Sequence, residues 1–276
     1  MRFLAGFFLL AIFGVQAQPA KPPKSVRLYI FDCGVIKGLN PAMFGLQPGE
    51  AKASELVVPC YLVVHPKGTL IWDVGVVPDS KLNADGSPVT AGNMTATKTL
   101  QSQLAAVGYK PTDITYIAHS HYHSDHTANS NDFAGSTWLV HPAEREAMFS
   151  DKPGLMDRSS FSALREAKTK LLGPEDYDVF GDGKVVIKFA PGHTPGHQVL
   201  FLNFAKAGPV LVAGDLYHYP EEKTLDRYPT FEFSVEQSRA SRAAVEAFLR
   251  KTKAQMWIEH DQATYLKLKH APEFYE

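Results

Sequence analysis

The chain has 276 residues, of which 45% are hydrophobic and 21% charged, as is usual for one or two globular domains. Lysine and arginine number 28 and aspartate and glutamate 29, so the net charge of −1 gives no electrostatic reason to expect nucleic acid or an anionic membrane surface as a partner. Two cysteines are too few for a disulfide framework or a cysteine-rich zinc finger.

The first 17 residues are typical of a secretory signal peptide. Met1 and Arg2 precede an unbroken apolar run at 3–15, which is shorter than the roughly 20 apolar residues that a spanning helix needs. Val15 and Ala17 put small residues where a signal peptidase reads the chain. We therefore expect cleavage after Ala17, secretion to the periplasm and no stable membrane anchor; an uncleaved N-terminal anchor is the alternative.

The segment after the cleavage site is predicted to be a flexible leader. Residues 18–24 contain three prolines, which fix φ and remove backbone donors. The remainder, 25–276, is predicted to form a single domain, because no linker or repeat interrupts it. In an oxidising compartment Cys33 and Cys60 can pair, but the sequence does not give their geometry, so a disulfide and two buried thiols both stay open.

Short apolar segments rich in β-branched residues recur along the chain and predict strands. They are 26–31, 57–64, 69–73, 114–118, 137–140, 185–189, 199–204, 209–213 and 256–258. Because these strands outnumber the helical segments scattered between them, the pattern predicts a layered α/β domain in which helices cover sheets.

Helical spacing is found in three segments, 95–107, 142–149 and 234–251. Gly108 follows the first and suits a helix end, and Pro142 opens the second, as is common in a first helical turn. The third begins at Ser234 with a glutamine three residues later, which is a capping-box pattern.

A histidine-rich motif follows the predicted strand 114–118 directly. Four potential metal ligands lie within six residues: His121, His123, Asp125 and His126. Imidazole nitrogens and carboxylate oxygens are the ligands that zinc and similar ions favour. So many ligands in so short a segment predict two adjacent ions, each of which needs further ligands from elsewhere in the chain.

Three other predicted strands also end in a metal-type ligand. His193 follows 185–189, Asp215 follows 209–213, and His260 comes at the end of 256–258. A polar group at the end of a buried strand is costly unless it is paired or coordinated, so these residues are the candidates for the missing ligands. We interpret His197 as a neighbouring histidine that is not itself a ligand.

The motif His121-x-His123-x-Asp125-His126, followed in order by His193, Asp215 and His260, resembles the signature of the metallo-β-lactamase superfamily. The resemblance also includes the Asp-x-Gly turn at Asp73. It implies an αββα four-layer sandwich with two divalent ions, expected to be zinc, at one edge. By residue-to-residue comparison one ion would take His121, His123 and His193, the other would take Asp125, His126 and His260, and Asp215 would bridge both.

Within that superfamily the chain is most similar to the N-acyl homoserine lactone lactonase branch. It shares the string PGHTPGHQ at 191–198 and has EHD at 259–261 where the branch has a GHD-like ending. True metallo-β-lactamases have Cys or Ser where this chain has Asp215. The resemblance implies that a hydroxide held between the ions attacks the lactone carbonyl, with Asp125 as the group that moves the proton to the leaving alkoxide.

One position departs from the branch. Its members carry a carbonyl-binding tyrosine three residues after the bridging aspartate, where this chain has His218. We expect either His218 or the hydroxyl of the neighbouring Tyr217 to take that role, or neither if these side chains have no catalytic part.

The loop 39–48 lies near the active site in this branch, and its Met43, Phe44 and Leu46 could form an apolar wall for an acyl chain. An ordinary loop anchored by core side chains is the alternative for these three residues.

The sequence thus predicts a secreted metal-dependent hydrolase that opens N-acyl homoserine lactones. One alternative is a related hydrolase acting on another lactone, an ester or a β-lactam. A second alternative is a ligand-binding protein that keeps its metal only for stability. The sequence indicates a small-molecule partner and no particular oligomeric state.

Overall fold

A computed structural model describes residues 22–151 and 155–276. The predicted signal peptide, 1–17, lies outside the described residues, as does 18–21 of the predicted leader. Of the leader residues that are described, Pro23 is buried. Across both described ranges, none of the helices combines the length and the apolar character that crossing a bilayer requires.

The first sheet is built from the earlier part of the chain. In the described ranges its strands are β1 (Arg27–Lys37), β2 (Glu55–His65), β3 (Gly68–Trp72), β4 (Val89–Ala91), β5 (Met94–Ala96), β6 (Tyr116–Ala118), β7 (Thr137–Val140) and β8 (Thr169–Leu171). Their spatial order is β4-β5-β1-β2-β3-β6-β7-β8. Antiparallel pairing joins β1 to β2 and β2 to β3, and the pairing from β3 through β6 and β7 to β8 is parallel, so the sheet is mixed.

The second sheet comes from the later part of the chain. Its strands are β9 (Tyr177–Asp178), β10 (Val185–Phe189), β11 (Gln198–Phe204), β12 (Gly208–Val212) and β13 (Gln255–Trp257), in the order β13-β12-β11-β10-β9. The pair β12 and β13 is parallel and the other pairs are antiparallel. It follows that β10, β12 and β13 all run in one direction and end at the same edge.

The helices of the described residues are α1 (Leu100–Ala106), α2 (Ser124–Thr127), α3 (Pro142–Phe149), α4 (Pro220–Leu225), α5 (Val235–Thr252) and α6 (Gln262–Tyr265). On the outer face of the first sheet, Leu104 of α1 and Met148 of α3 belong to one apolar cluster with strand residues. On the second sheet, Val245 and Leu249 of α5 pack in the same way.

The principal core lies between the two sheets. Val63 and Trp72 from the first sheet and Leu200 and Val212 from the second are buried in one cluster. Burial of large apolar side chains stabilises a fold by about 1.5–3 kcal/mol each, so this interface holds the sheets together. The layers are therefore helix, sheet, sheet and helix, and the predicted αββα sandwich is confirmed.

The three predicted helices agree with the observed helices to different degrees. The second is observed at Pro142–Phe149 as expected. In the third, the Ser234 hydroxyl accepts the Gln237 amide at 3.3 Å, but the Ser234 amide donates to Gly192, so the reciprocal bond of a capping box is not made. The first prediction was wrong at its start, because 94–96 pairs with β1 as strand β5 and the helix begins only after Thr99.

The structure joins Cys33 of β1 to Cys60 of β2 through a disulfide, with Cα atoms 5.8 Å apart. Of the two alternatives left open by the sequence, the structure therefore has the disulfide. Both residues belong to the apolar cluster beneath α1 and α3.

Candidate metal centre

Seven side chains that follow strand ends meet at one edge of the sandwich. Among the described residues, three groups have ligand atoms within 4.8 Å of one another; Asp73, His126 and Glu259 form one of them, and the other two both include Asp215. Of the two that share Asp215, the first group is His121, His123, His193 and Asp215, and the second is Asp125, His126, His260 and Asp215. These are the same two sets, with the same shared carboxylate, that the resemblance implied.

The carboxylate of Asp215 lies between the two groups. Its Oδ2 is 3.4 Å from His121 Nε2 and 3.3 Å from His193 Nε2. Its Oδ1 is 3.4 Å from His126 Nε2 and 3.0 Å from His260 Nε2. Since one oxygen faces each group, this side chain has the geometry of a bridging ligand.

The other members converge in the same way. Asp125 Oδ2 is 3.4 Å from His126 Nε2 and 3.6 Å from His260 Nε2. His123 Nδ1 is 3.1 Å from His193 Nε2. Each group therefore presents nitrogen and oxygen lone pairs to a common point.

Several buried nitrogen and oxygen atoms of this cluster have no hydrogen-bond partner in the described part of the chain, which indicates whether the residues fit a metal ion. Among the described residues, Nε2 of His121, His126 and His260 and Oδ1 of Asp215 are buried without a hydrogen-bond partner. Buried polar atoms are nearly always paired, because leaving one unpaired costs about 1–3 kcal/mol. Two divalent metal ions would provide a coordination partner for all four atoms. Imidazole nitrogens and carboxylate oxygens are a donor set that zinc takes in proteins.

Local backbone structure orients the histidine motif. Asp73, in the Asp-x-Gly turn, has a φ of 52° and its Oδ1 accepts the Ser120 amide at 2.7 Å. The next amide, that of Val74, donates to the His126 carbonyl at 2.9 Å. The turn after β3 therefore holds both ends of the motif that follows β6.

Three of the inward-facing imidazoles also have a polar partner on the ring nitrogen that points away from the centre. His193 Nδ1 is 2.9 Å from Glu232 Oε1, and His126 Nδ1 is 3.1 Å from Asp73 Oδ2. His260 Nδ1 donates to the Val57 carbonyl at 2.7 Å. A partner on one ring nitrogen fixes the tautomer and directs the other nitrogen to the metal.

His197 lies outside both ligand groups. Its Nδ1 donates to the Ala190 carbonyl at 2.9 Å, and its Nε2 accepts the Asp215 amide at 3.0 Å. Burial, reinforced by the neighbouring His193, lowers the pKa of His197 to about 4, so the ring is neutral and able to accept. Its role is to fix the backbone of the bridging residue.

Burial also shifts the pKa values of the candidate ligands. It lowers the pKa of His121 and of His123 well below the ordinary value, which keeps both rings neutral. Burial opposes ionisation of Asp215, but the surrounding imidazoles of His218 and His260 outweigh it and hold its pKa well below the usual range. The bridge is therefore ionised and these two rings are neutral, whereas at His126 and His193 the effect of burial is outweighed by nearby carboxylates, which raise the pKa of both.

His218, three residues after Asp215, is held between two carboxylates. His218 lines the cavity beside the centre, with Nε2 3.0 Å from Asp215 Oδ2 and Nδ1 3.2 Å from Glu222 Oε1. Burial disfavours its charged form, but the carboxylates of Asp215 and Glu222 prevail and raise the pKa of His218 to about 10.

Tyr217, the other candidate for the carbonyl-binding role, lies away from the cavity. Its ring packs in the cluster beneath α5, with the Arg242 guanidinium carbon 4.3 Å from the ring centroid, and it does not line the cavity. Residues 216 and 217 are buried against α5, so the backbone there directs this side chain away from the centre. Of the two candidates, only His218 faces the reacting site.

A cavity of about 430 Å³ opens above the centre. Its apolar walls are Ile36, Leu39, Met43, Phe44, Leu56, Met94, Leu155, Met156 and Phe231. Met43 and Phe44 therefore lie where the sequence suggested. Leu46 does not line the cavity, because it is fully buried in the cluster beneath it.

Sequence reasoning missed several polar residues around the centre. Glu222 and Glu232 lie behind His218 and His193, and Glu144 of α3 contacts the loops that carry the ligands. Glu259 is buried 3.8 Å from His126 Nδ1, and burial together with Asp73 raises its pKa well above the usual value. The burial of four glutamates was not predictable from composition, although the EHD string did mark Glu259 as different from the branch.

Comparison with known proteins decides the family. The sequence profile described as the metallo-beta-lactamase superfamily matches residues 53–252, which is most of the chain. The chain belongs to the metallo-beta-lactamase superfamily. This confirms the resemblance inferred from the motif, the fold that it implied and the expectation of a metal-dependent hydrolase.

Its relatives have a common description. The N-acyl homoserine lactonase AttM of Rhizobium johnstonii is 31% identical over 264 residues, covering 91% of this chain and 98% of that protein. The N-acyl homoserine lactonase AiiA of Bacillus thuringiensis subsp. kurstaki is 30% identical over 223 residues, covering 78% and 85%.

A solved structure is similar over the same length. It is an N-acyl homoserine lactone hydrolase with the product N-hexanoyl-L-homoserine bound at the catalytic metal centre. The match has a TM-score of 0.74 and 27% identity, and covers 90% of this chain and 98% of that one.

Proposed function

We propose that this protein opens the lactone ring of N-acyl homoserine lactones at a centre of two divalent ions, zinc in the protein as isolated. The observation that carries the proposal is the Asp215 carboxylate, whose two oxygens face two separate ligand groups at the base of an apolar cavity. The relatives named as N-acyl homoserine lactonases over nearly the whole chain support the same substrate class.

When bound, the ions would supply Lewis acidity toward a carbonyl oxygen and lower the pKa of a water. His121, His123 and His193 would hold one ion, and Asp125, His126 and His260 the other. Proton transfer would be carried out by a residue of the chain. Asp125 lines the cavity and is a carboxylate next to the reacting atoms, so it moves a proton from the attacking water to the leaving alkoxide oxygen.

His218 is suited to stabilise negative charge on the carbonyl oxygen. Both of its ring nitrogens face carboxylates, which only accept hydrogen bonds, so both nitrogens carry protons. The residue lines the cavity, and its Nε2–H, which faces Asp215 Oδ2, is the donor that we propose for an oxyanion there. In this chain it takes the place of the carbonyl-binding tyrosine of the lactonase branch.

The walls of the cavity suit an acyl chain. Met43, Phe44, Leu155, Met156 and Phe231 are among its apolar lining residues. Each methylene that leaves water gains about 0.8 kcal/mol, so such walls favour substrates with an aliphatic chain over a bare ring.

A hydrolysis panel tests the substrate. Purified metal-loaded protein is assayed with hexanoyl homoserine lactone, γ-butyrolactone, an aryl ester and a cephalosporin. We expect kcat/KM for the acyl homoserine lactone to exceed that for the simple lactone by at least about ten-fold, because two or more buried methylenes provide that much. The chelated protein is the control.

Each other outcome of the panel points to an alternative. Preference for the aryl ester or the cephalosporin would indicate a hydrolase of another substrate class, and no turnover of any substrate would indicate a binding protein that keeps its metal for stability.

We also propose that the protein is exported and acts in the periplasm. The apolar run and small residues of 1–17 support this, as does the Cys33–Cys60 disulfide, since disulfides persist in oxidising compartments. Expressed from its full sequence, the exported protein should have an intact mass corresponding to an N-terminus at Gln18. A mass that still includes Met1 would contradict cleavage.

A further inference from the structure

The buried carboxylate of Glu144 lies between two loops that carry metal ligands. This residue is in α3 and its exposed fraction is 3%. Oε1 accepts the Tyr122 amide at 2.8 Å, and Oε2 accepts the Gly196 amide at 2.8 Å. The Thr194 hydroxyl lies 2.9 Å from Oε1 and 2.8 Å from Oε2. One side chain thus binds three donors from two loops.

These loops come from different sheets. Tyr122 follows β6 of the first sheet and stands between His121 and His123 in the chain. Thr194 follows β10 of the second sheet and comes directly after His193. Glu144 therefore connects, across the gap between the sheets, the backbone segments that carry the three histidines of the first ligand group.

The close approach at Gly196 shows how tightly this contact is built. A Cβ placed on Gly196 would lie 2.5 Å from the Glu144 Cβ and 2.6 Å from its amide nitrogen. Real Cβ atoms do not approach backbone so closely, and φ at this glycine is not in the left-handed region. Space for Glu144, and not backbone conformation, is what requires glycine here.

The second ligand group is held by other partners. His126 Nδ1 lies near Ser120 Oγ and Asp73 Oδ2, and His260 Nδ1 donates to the Val57 carbonyl. The polar partners of Glu144 are confined to the loops of the first group. A change at Glu144 should therefore act unequally on the two groups.

We propose that Glu144 is a positioning residue for one ion of the centre, the ion held by His121, His123 and His193. It touches neither the ion nor the substrate, and acts by fixing the distance between the two loops that supply these ligands. The inference rests on the proposed two-ion centre. Outer groups that orient ligands typically change metal affinity by about 10–100-fold, and that is the size of effect expected here.

The variant Glu144→Gln tests this, because it keeps the shape of the side chain and replaces an acceptor oxygen with a donor group that opposes the Gly196 amide. Zinc affinities are measured by competition with a chromogenic chelator. We expect one of the two ions to bind about 10–100-fold more weakly and the other to bind as in the wild type. Glu146→Gln, on the exposed side of the same helix, is the matched control and should change neither.

Two further backgrounds identify which ion is affected. With His260→Ala the second group is disabled, and adding Glu144→Gln should weaken the remaining ion by the full 10–100-fold. With His193→Ala the first group is disabled, and adding Glu144→Gln should leave the remaining ion unchanged. Equal weakening in both backgrounds, or none in either, would overturn the proposal.

A milder variant covers the case in which Glu144→Gln does not fold. Thr194→Val removes only the hydroxyl that contacts both carboxylate oxygens, and should weaken the same ion by a smaller factor in the His260→Ala background. An unchanged affinity there would also count against the proposal. A wild-type protein that binds a single ion would contradict the proposed two-ion centre, which is a separate result from any effect of Glu144.

Discussion

Asp215→Ala should lower the occupancy of both metal positions at once. The wild-type protein is expected to hold about two divalent ions per chain, and the variant well under one. The physical reason is that Oδ1 and Oδ2 face different ligand groups, so no other single side chain is shared by both. Without the bridge, each group retains three ligands and loses its anionic contact to the other ion.

Elemental analysis of protein never exposed to a chelator measures this occupancy, and hydrolysis should fall to background along with it. Asp132→Ala, which removes an exposed carboxylate, is the control and should retain both ions. If Asp215→Ala keeps one ion at full occupancy, the carboxylate is not a bridge. A wild-type protein with one ion or none would contradict the dinuclear centre itself.

His218→Ala should lower kcat for lactone hydrolysis by about 10²-fold, at an unchanged metal content. Removing one preorganised donor to an oxyanion costs about 3 kcal/mol in comparable sites. All seven proposed metal ligands remain in this variant, and for that reason the loss should appear in the chemical step and not in metal occupancy.

Tyr217→Phe is the matched control, since the Tyr217 ring packs beneath α5 and its hydroxyl does not line the cavity. Its kcat should be within about two-fold of the wild type, because only a side chain at the cavity can contribute to the oxyanion. If Tyr217→Phe lowers kcat instead, the tyrosine reaches the substrate by a rearrangement. If neither change matters, the 217–219 segment plays no part in catalysis.

The candidate ligands could be found in the sequence from local patterns. His193, Asp215 and His260 each follow a short apolar strand. A polar side chain buried in that position is destabilising unless it is hydrogen-bonded, paired or coordinated to a metal, so it indicates a binding partner. Strand segments such as 185–189 and 137–140 were also found at their observed bounds, because β-branched runs have a clear pattern. Local patterns thus predicted a layered α/β domain and identified side chains that the structure brings together at the candidate centre.

Residues whose contacts are remote in the sequence have no such local pattern. Glu144 and Glu232 are ordinary charged residues in the sequence, and only the packing of α3 and of the segment before α5 brings them to the histidines. For Leu46 the sequence left a cavity wall and a core anchor both open, because an apolar side chain in a loop can face either a ligand or the core, and the structure places it in the core. The short strand β5 was taken for helix, since its partner in β1 is remote in sequence.

The division of the sandwich along the chain has a consequence for biosynthesis. The first sheet is complete at residue 171, and the second is built entirely from 177–257. A nascent chain that has emerged only through Leu171 has four of the seven candidate ligands, namely His121, His123, Asp125 and His126, and neither complete group. Both groups can therefore be complete only after the two halves of the sandwich have met, and a chain that stops after β8 would have the histidine motif without either full set of candidate ligands.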